Sequence, residues 1–302
     1  LLYESLLSFR CTCSAAMRMP PPSSHLNERY RHFLRLHYER DQQHLQVSPD
    51  TREAVSYLSL EFYTGTFDSL TSLRIDACTA VRSDFLRLLM AIFPSVDTVC
   101  HLTLFDTQIG DAGFVLLYRH ALSYAVRLDR LCLRGNRLTD VSIRRLSMLR
   151  HVGMLPALVE LDLQHNTLLD TGVLALASCG HDAFRALTSL NIASNYITNA
   201  GIAHLARHLL QGGADGCFPS LRFLDVGFNM VSDYGALLLA HACTVDFVLP
   251  HCTILLLNGN MFGFQGASEL ARTLRTGGLP SLAIIGYHHS ILSRHTFVQY
   301  YD

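Results

Sequence analysis

The chain is 302 residues long, 49% apolar and 16% charged, with a formal net charge of −1. That composition supplies a sizeable core and excludes both an intrinsically disordered chain and a dedicated polyanion binder. All 24 basic residues are arginine, so P-loop nucleotide sites, Schiff-base and pyridoxal chemistry and the kinase-type phosphate lysine are excluded with the missing lysine.

In chain order, residues 1–22 read as a disordered leader or a targeting remnant. Arg10 and Arg18 stand among serines with one acid, Glu4, a composition that resembles the end of a mitochondrial transit peptide. Residue 1 is leucine, so a processed or incomplete start is expected, with Met17 and Met19 as internal alternatives. Leu26, Tyr30, Phe33, Leu34 and His37 share one face of a predicted helix over 23–45, and Arg29, Arg31, Arg35 and Arg40 gather largely elsewhere. Ser48-Pro49-Asp50 starts a second helix, and the alternation of Leu58, Leu60 and Phe62 predicts a strand pairing with the first repeat. Residues 23–69 thus form an N-terminal helix and cap, the helix serving either as part of the cap or as a docking arm.

From residue 70 to 302 one pattern repeats. L-x-x-L-x-L-x-x-N-x-L starts at 70, 99, 128, 158, 187, 221, 252 and 282, giving about eight units. The one long spacing, between 187 and 221, contains the glycine-rich stretch Gln211–Gly216, read as an insertion. Each L-x-L core predicts a short strand whose leucines point inward at period two. Asn136, Asn166, Asn195, Asn229 and Asn260 recur at one register and would form an internal ladder satisfying the turns that leave the strands. Cys78, Thr107 and Ser290 replace asparagine towards the ends of the array, where repeats are expected to be atypical. A segment such as Thr198-Asn199-Ala200-Gly201 then starts and caps an amphipathic helix carrying Ile202, Leu205, Ala206 and Leu209.

Strand, asparagine turn and full helix in about 29 residues, with the rhythm of Asn195 to Ala206, resemble the ribonuclease-inhibitor type of leucine-rich repeat. The resemblance implies an α/β horseshoe solenoid with a parallel concave sheet and outer helices. It also implies a breadth of roles, from inhibitors and innate-immune sensors to components of axonemes and other large assemblies.

The expected outward strand positions define a partner-binding concave face. Arg130 and Arg134 are followed by Glu160, Asp162 and Asp225, then by the apolar lane of Phe223, Ile254, Leu256 and Ile284. The final strand, at Ala283-Ile284-Ile285, is expected to leave an edge for a partner or for further residues to cover. Arg119, Arg127, Arg137, Arg144, Arg145 and Arg150 join Arg130 and Arg134 in a basic segment that could meet an acidic tail or RNA phosphates. It spans strand, turn and helix, however, and lacks interleaved aromatics for base stacking.

His204 and His208 lie four apart on a predicted helix without the glutamate of a zinc protease, and His288, His289 and His295 cluster near the C-terminus. No metal site, cofactor, small-molecule ligand or catalytic residue is expected, since solvent-facing Glu160 and Asp162 cannot hold one carboxyl dry. Nine cysteines without a C-x-x-C pair are read as reduced, and no uninterrupted apolar run approaches the roughly 18 residues a membrane helix needs.

The functional expectation is a non-catalytic protein–protein interaction scaffold, a structural subunit of a large multiprotein assembly. An intracellular, cytoplasmic or cytoskeletal (flagellar) setting is expected, with the mitochondrion as the alternative. Two other functions stay open: a small-GTPase regulator akin to Ran GTPase-activating proteins, which share the repeat type, and a ribonucleoprotein-associated subunit using the arginines.

Overall fold

A computed structural model of the chain describes residues 44–47, 70–76, 98–122, 127–147, 155–178, 184–211, 218–245, 249–288 and 290–300. The chain divides into two compact units, residues 1–36 and 37–302, and all described residues belong to the second. The leader over 1–22, residues 23–43 of the first predicted helix, the Ser48–Asp50 helix start, the Leu58–Phe62 strand, Cys78, Arg150, the loop over 212–217 and His289 lie outside the described residues.

A repeat of about 29 residues is long enough to return the chain parallel to itself, because a parallel pair needs a crossover of a dozen residues or more, usually a helix. The described strands are β1 (His44–Val47), β2 (Ser72–Asp76), β3 (His101–Phe105), β4 (Arg130–Cys132), β5 (Glu160–Asp162), β6 (Ser189–Asn191), β7 (Phe223–Asp225), β8 (Ile254–Leu256), β9 (Ile284–Tyr287) and β10 (Ser290–Ser293). They form one open sheet in chain order, parallel from β1 to β9. The described helices are α1 (Gly110–Leu117), extended by a π-helical turn over Tyr118–Leu122, then α2 (Asp140–Ser147), α3 (Leu169–Ala177), α4 (Asn199–Gln211), α5 (Asp233–Val245), α6 (Phe264–Arg275) and α7 (Arg294–Tyr300). Each of the eight L-x-L segments begins on one of the strands β2 to β9.

The core is built by period. Leu102 and Leu104, Leu131 and Leu133, Leu161 and Leu163, Leu190 and Ile192, and Leu224 and Val226 are all buried. Against them lie the apolar faces of the helices, such as Ile202, Leu205 and Ala206 of α4, and from α1 to α7 each helix packs on the next. The return to the next strand repeats too. Leu155, Phe218, Leu249 and Leu279 are buried with φ of 57°, 62°, 59° and 50°, and proline follows each of them. Their carbonyls accept the N–H groups of Leu158, Leu221, Cys252 and Leu282, which closes a tight turn just before the strand.

Two polar ladders tie the units together. In the inner one, Asn195 Nδ2 donates to Leu163 O (2.9 Å), Ile192 O (3.1 Å) and Ala193 O (3.0 Å). Asn229 Oδ1 accepts the N–H groups of Asn195 (2.9 Å) and Ile197 (3.0 Å), so each amide binds the backbone of the preceding unit. Asn136, Asn166 and Asn260 bond in the same sense, and at Thr107 the hydroxyl donates to Asn136 Oδ1 at 2.7 Å. The residue before each ladder position has positive φ (Asp106, Gly135, His165, Ser194, Phe228, Gly259), a turn that carries the next side chain inward.

The outer ladder adds to the expected capping, which Thr198 supplies to its own helix by accepting Ala200 N–H on Oγ1 at 3.2 Å, as Thr139 does for Val141 N–H. No side-chain cap bond is made at Ile109 or Leu168, which precede α1 and α3. The first-turn polar residue instead caps the following helix. Asp170 Oδ1 of α3 accepts Thr198 N–H and Gly201 N–H at 2.8 Å each, Asn199 Oδ1 of α4 accepts Ser232 N–H and Gly235 N–H, and Asp233 Oδ1 of α5 accepts Gly263 N–H and Gly266 N–H. At Gly201 the receiving position has no room for a side chain, because a Cβ there would sit 2.5 Å from Asp170 Oδ1, whereas in the Asp111 unit Ser142 takes that position and donates its hydroxyl. Asp111 belongs to the same ladder, accepting Thr139 N–H, Thr139 Oγ1 and Ser142 Oγ. Burial works against its charge, and those bonds outweigh it, holding the carboxyl below its ordinary value.

Both ends depart from expectation. The outer neighbour of β2 is β1, with Leu45 beside Leu73 and Val47 beside Ile75, so the edge assigned to Leu58–Phe62 is already taken. The predicted 23–45 helix also overlaps this strand at His44 and Leu45. Leu45 is 1% exposed. The sequence did carry the signal: His44-Leu45-Gln46-Val47 has the L-x-V core one repeat length before Ser72-Leu73-Arg74-Ile75.

At the other end β9 is not left bare. The chain turns at His288 and β10 returns antiparallel, pairing Ser290 with Tyr287 and Ser293 with Ile284. Ser290 is therefore a strand residue here and not the turn residue expected at an asparagine position. Phe297 of α7 is fully buried, its ring 5.9 Å from that of Tyr287. Arg294 donates to the carbonyls of Leu274 (2.5 Å), Leu279 (3.2 Å) and Pro280 (3.1 Å), closing the end of α6.

Candidate functional site

The strand face opposite the helices is ordered into rows by the parallel register. One row runs His44, Ser72, His101, Arg130, Glu160, Ser189, Phe223, Ile254, Ile284, and the next runs Gln46, Arg74, Thr103, Cys132, Asp162, Asn191, Asp225, Leu256, Gly286. The side chains of these rows are mostly partly exposed, in contrast to the buried leucines between them. The structure therefore brings Phe223, Ile254 and Ile284 side by side, with Leu256 beside Ile254 in the adjoining row.

The first half of the face is polar and internally paired. Arg74 Nε bonds both oxygens of Asp76, at 2.8 and 2.9 Å, and Gln46 Nε2 donates to Asp76 Oδ2 at 2.7 Å. The guanidinium carbons of Arg74 and Arg134 lie 5.9 and 5.3 Å from the Phe105 ring centroid, so the ring sits between two cations. His101 Nε2 is 3.1 Å from Asp129 Oδ1, and Arg130 Nε is 3.8 Å from Glu160 Oε2.

The centre holds a structural device at positions expected to serve partners alone. Asp162 Oδ1 accepts Gln164 N–H (2.9 Å), Asn191 Oδ1 accepts Ala193 N–H (3.0 Å) and Asp225 Oδ1 accepts Gly227 N–H (2.8 Å). Each side chain thus satisfies the N–H two residues on, a local Asx bond repeated in three consecutive units. Contrary to the expectation that a solvent-facing strand leaves Asp162 wet, burial raises both the Asp162 and Asp225 carboxyls above their ordinary value, and Asp225 is raised further by the charge of Asp162. The Cys132 thiol donates to Asp162 Oδ2 at 3.6 Å. Burial and the Asp162 charge push it up to about 12, which makes it a poor nucleophile at neutral pH.

The remaining candidates scatter. Arg127 and Arg137 are exposed in the turns flanking β4, Arg119 is exposed on the π-helical turn, and Arg144 and Arg145 are exposed on α2, where Arg144 pairs with Asp140. Among the described residues these arginines are thus spread over β4, its flanking turns, the π-helical turn and α2 and do not share one element. His204 and His208 lie on α4, and His208 Nε2 is 3.4 Å from Ser178 Oγ. Burial, then His204, lowers the His208 pKa. Among the described residues no three histidine, cysteine or acidic side chains converge as metal ligands, and no helix is long and apolar enough to cross a membrane.

One surface at the strand ends was not anticipated from the repeat pattern. Tyr196, Phe228, Met230, Tyr234, Met261 and Phe264 are exposed by 45 to 70%. Their signal was available, since bulky apolar residues beside Asn195, Asn229 and Asn260 occupy turn positions that ordinarily hold polar side chains.

Comparison with known proteins agrees with this geometry. A Leucine Rich repeat family model matches residues 156–177 and 185–206, which hold β5 with α3 and β6 with part of α4. The chain is 32% identical to human NACHT, LRR and PYD domains-containing protein 14 over 187 residues, 61% of this chain and 16% of that protein. It is 29% identical to pig ribonuclease inhibitor over 151 residues, 50% of this chain and 31% of the inhibitor. The matched region is thus a minor part of each relative's length. With its parallel sheet, its asparagine ladder and its helix in each described crossover from β3 to β9, this chain is a leucine-rich repeat protein whose units are of the ribonuclease-inhibitor type.

Proposed function

We propose that the chain is a non-catalytic protein–protein interaction scaffold, built into a large multiprotein assembly as a structural subunit. The carrying observation is the lane of Phe223, Ile254, Ile284 and Leu256, four large apolar side chains in register on an open sheet face. Apolar surface ordered on rigid parallel strands favours binding, because little conformational freedom is lost when a partner docks. The kinship with a ribonuclease inhibitor, a protein named for inhibiting an enzyme, supports recognition of another protein as the activity.

The test is native fractionation of a gentle lysate with this chain located by mass spectrometry, repeated for Ile254→Asp with Leu256→Asp. Co-migration with a fixed set of proteins in a large particle, lost in the variant while the fold persists, is the expected result. The proteins in that particle also read the compartment, for which the proposal is a cytoplasmic, cytoskeletal setting. A peak at the chain's own 33.7 kDa or at twice that mass, with no other protein co-migrating, would overturn the assembly role, and stimulated hydrolysis by a panel of small GTPases would then be measured.

A further inference from the structure

We propose that the chain pairs with a second copy of itself through the exposed rim at the C-terminal ends of β6, β7 and β8, leaving the apolar lane free for another protein. The rim is made of Tyr196, Phe228, Met230, Tyr234, Met261 and Phe264, exposed by 57, 61, 45, 62, 62 and 70% respectively. The backbone fixes their relation. Met230 N–H donates to Ile197 O at 2.7 Å and Met261 N–H to Val231 O at 2.8 Å, so the turns carrying Tyr196, Met230 and Met261 are stitched side by side. Phe228 lies against Gly259, where an added Cβ would meet the ring at 2.5 Å. Tyr234 and Phe264 open the adjacent helices α5 and α6, extending the same rim outward.

Three features choose the occupant. From the bulk of aromatic and methionine side chains, the exposed rim offers roughly 600–700 Å² of mostly apolar surface. That is near the roughly 800 Å² per partner of a stable interface and above what a monomer commonly leaves bare. The six are tyrosine, phenylalanine and methionine, with no acidic or basic residue among them, so the rim selects an uncharged surface of its own kind. The whole chain has a formal net charge of −1, so two copies meet without long-range repulsion.

The order of residues also suits a two-fold contact. An axis over the middle unit sets Phe228, Met230 and Tyr234 against their own copies, and sets Tyr196 of one chain against Met261 and Phe264 of the other. The lane residues stand on the strands and are not consumed. A pair of chains would therefore present two lanes and gain avidity on any partner that repeats along an assembly.

The experiment is light scattering and sedimentation of the purified full chain over a concentration series. The expected mass is twice 33.7 kDa, falling to 33.7 kDa in Met261→Asp with Phe264→Asp at an unchanged circular dichroism spectrum. Met230→Arg guards against misfolding of that double variant: like charges across the axis should dissociate the pair at low salt and let it re-form at high salt. Ile254→Asp on the lane should leave the mass doubled, which separates failure of this pairing from failure of the scaffold reading. A mass of 33.7 kDa at every concentration, or a pair indifferent to the rim variants, would overturn the proposal.

Discussion

One backbone ladder supports two unlike halves of the strand face. From β2 to β5 the outward side chains satisfy each other, with Arg74 on Asp76, Arg74 and Arg134 around Phe105, and Arg130 near Glu160. From β7 to β9 the first row holds Phe223, Ile254 and Ile284, which make no such polar pairs. The buried side is nearly uniform over the same span, leucine on leucine and asparagine on backbone. The contrast shows that in a stacked repeat the inward positions carry the fold and the outward ones are free to specialise. A self-satisfied polar half offers little gain to a partner, whereas an apolar half gains by being covered.

The strongest response is expected where both halves depend on the same group. Asn195→Ala removes an amide that donates to three carbonyls and accepts Leu168 N–H, leaving buried backbone groups without partners. It should cost about 3 kcal/mol or more in urea denaturation and weaken binding at the apolar lane with it. A cost under about 1 kcal/mol would show that the turns hold without the ladder.

Ile254→Asp with Leu256→Asp should separate the halves. Partner binding is expected to fall at least about tenfold while stability changes by about 1 kcal/mol or less, because both positions are already partly solvated. Equal losses of binding and stability would place these residues in the core instead.

A smaller effect concerns the acids between the halves. Asp162 and Asp225 have carboxyls raised by burial, so over the range from the ordinary value of 3.8 up to the raised one the folded state holds protons that the unfolded chain releases. Their contribution to stability therefore falls as pH rises through that window. Asp162→Asn with Asp225→Asn keeps the acceptor that Asn191 already uses, and should raise the melting temperature at neutral pH and remove this slope. Asp111 acts with the opposite sign. Its lowered value means that its contribution is present above 3.8 and is lost as pH falls through the folded value. The variant should therefore retain acid destabilisation from the outer ladder, and a pH titration of the melting temperature reads both.

The weakest response is expected at Arg134→Ala. Loss of one cation beside Phe105 should cost about 0.5–1 kcal/mol by thermal melting and leave binding at the apolar lane unchanged. A loss of lane binding would instead mean that a single partner spans both halves.

The repeat, the strand positions, the inward leucines and the asparagine register were all legible in the linear pattern, because each unit must solve the same burial problem with residues a constant distance apart. Even the face could be written down, since alternation along a strand decides which side chains point outward. Contacts between units settled the rest. Asp170 caps the helix at Thr198 and not its own, since the nearest free N–H groups belong to the next unit. Asp162 and Asp225 bond their own backbone while serving the face. The ends were least legible: Leu45 gains burial only once β2 lies beside it, and Ser290–Ser293 turns back as a strand because β9 has an open edge to pair. Local pattern reports the environment a repeat makes for itself, and it cannot report what the neighbouring chain segment brings to that environment.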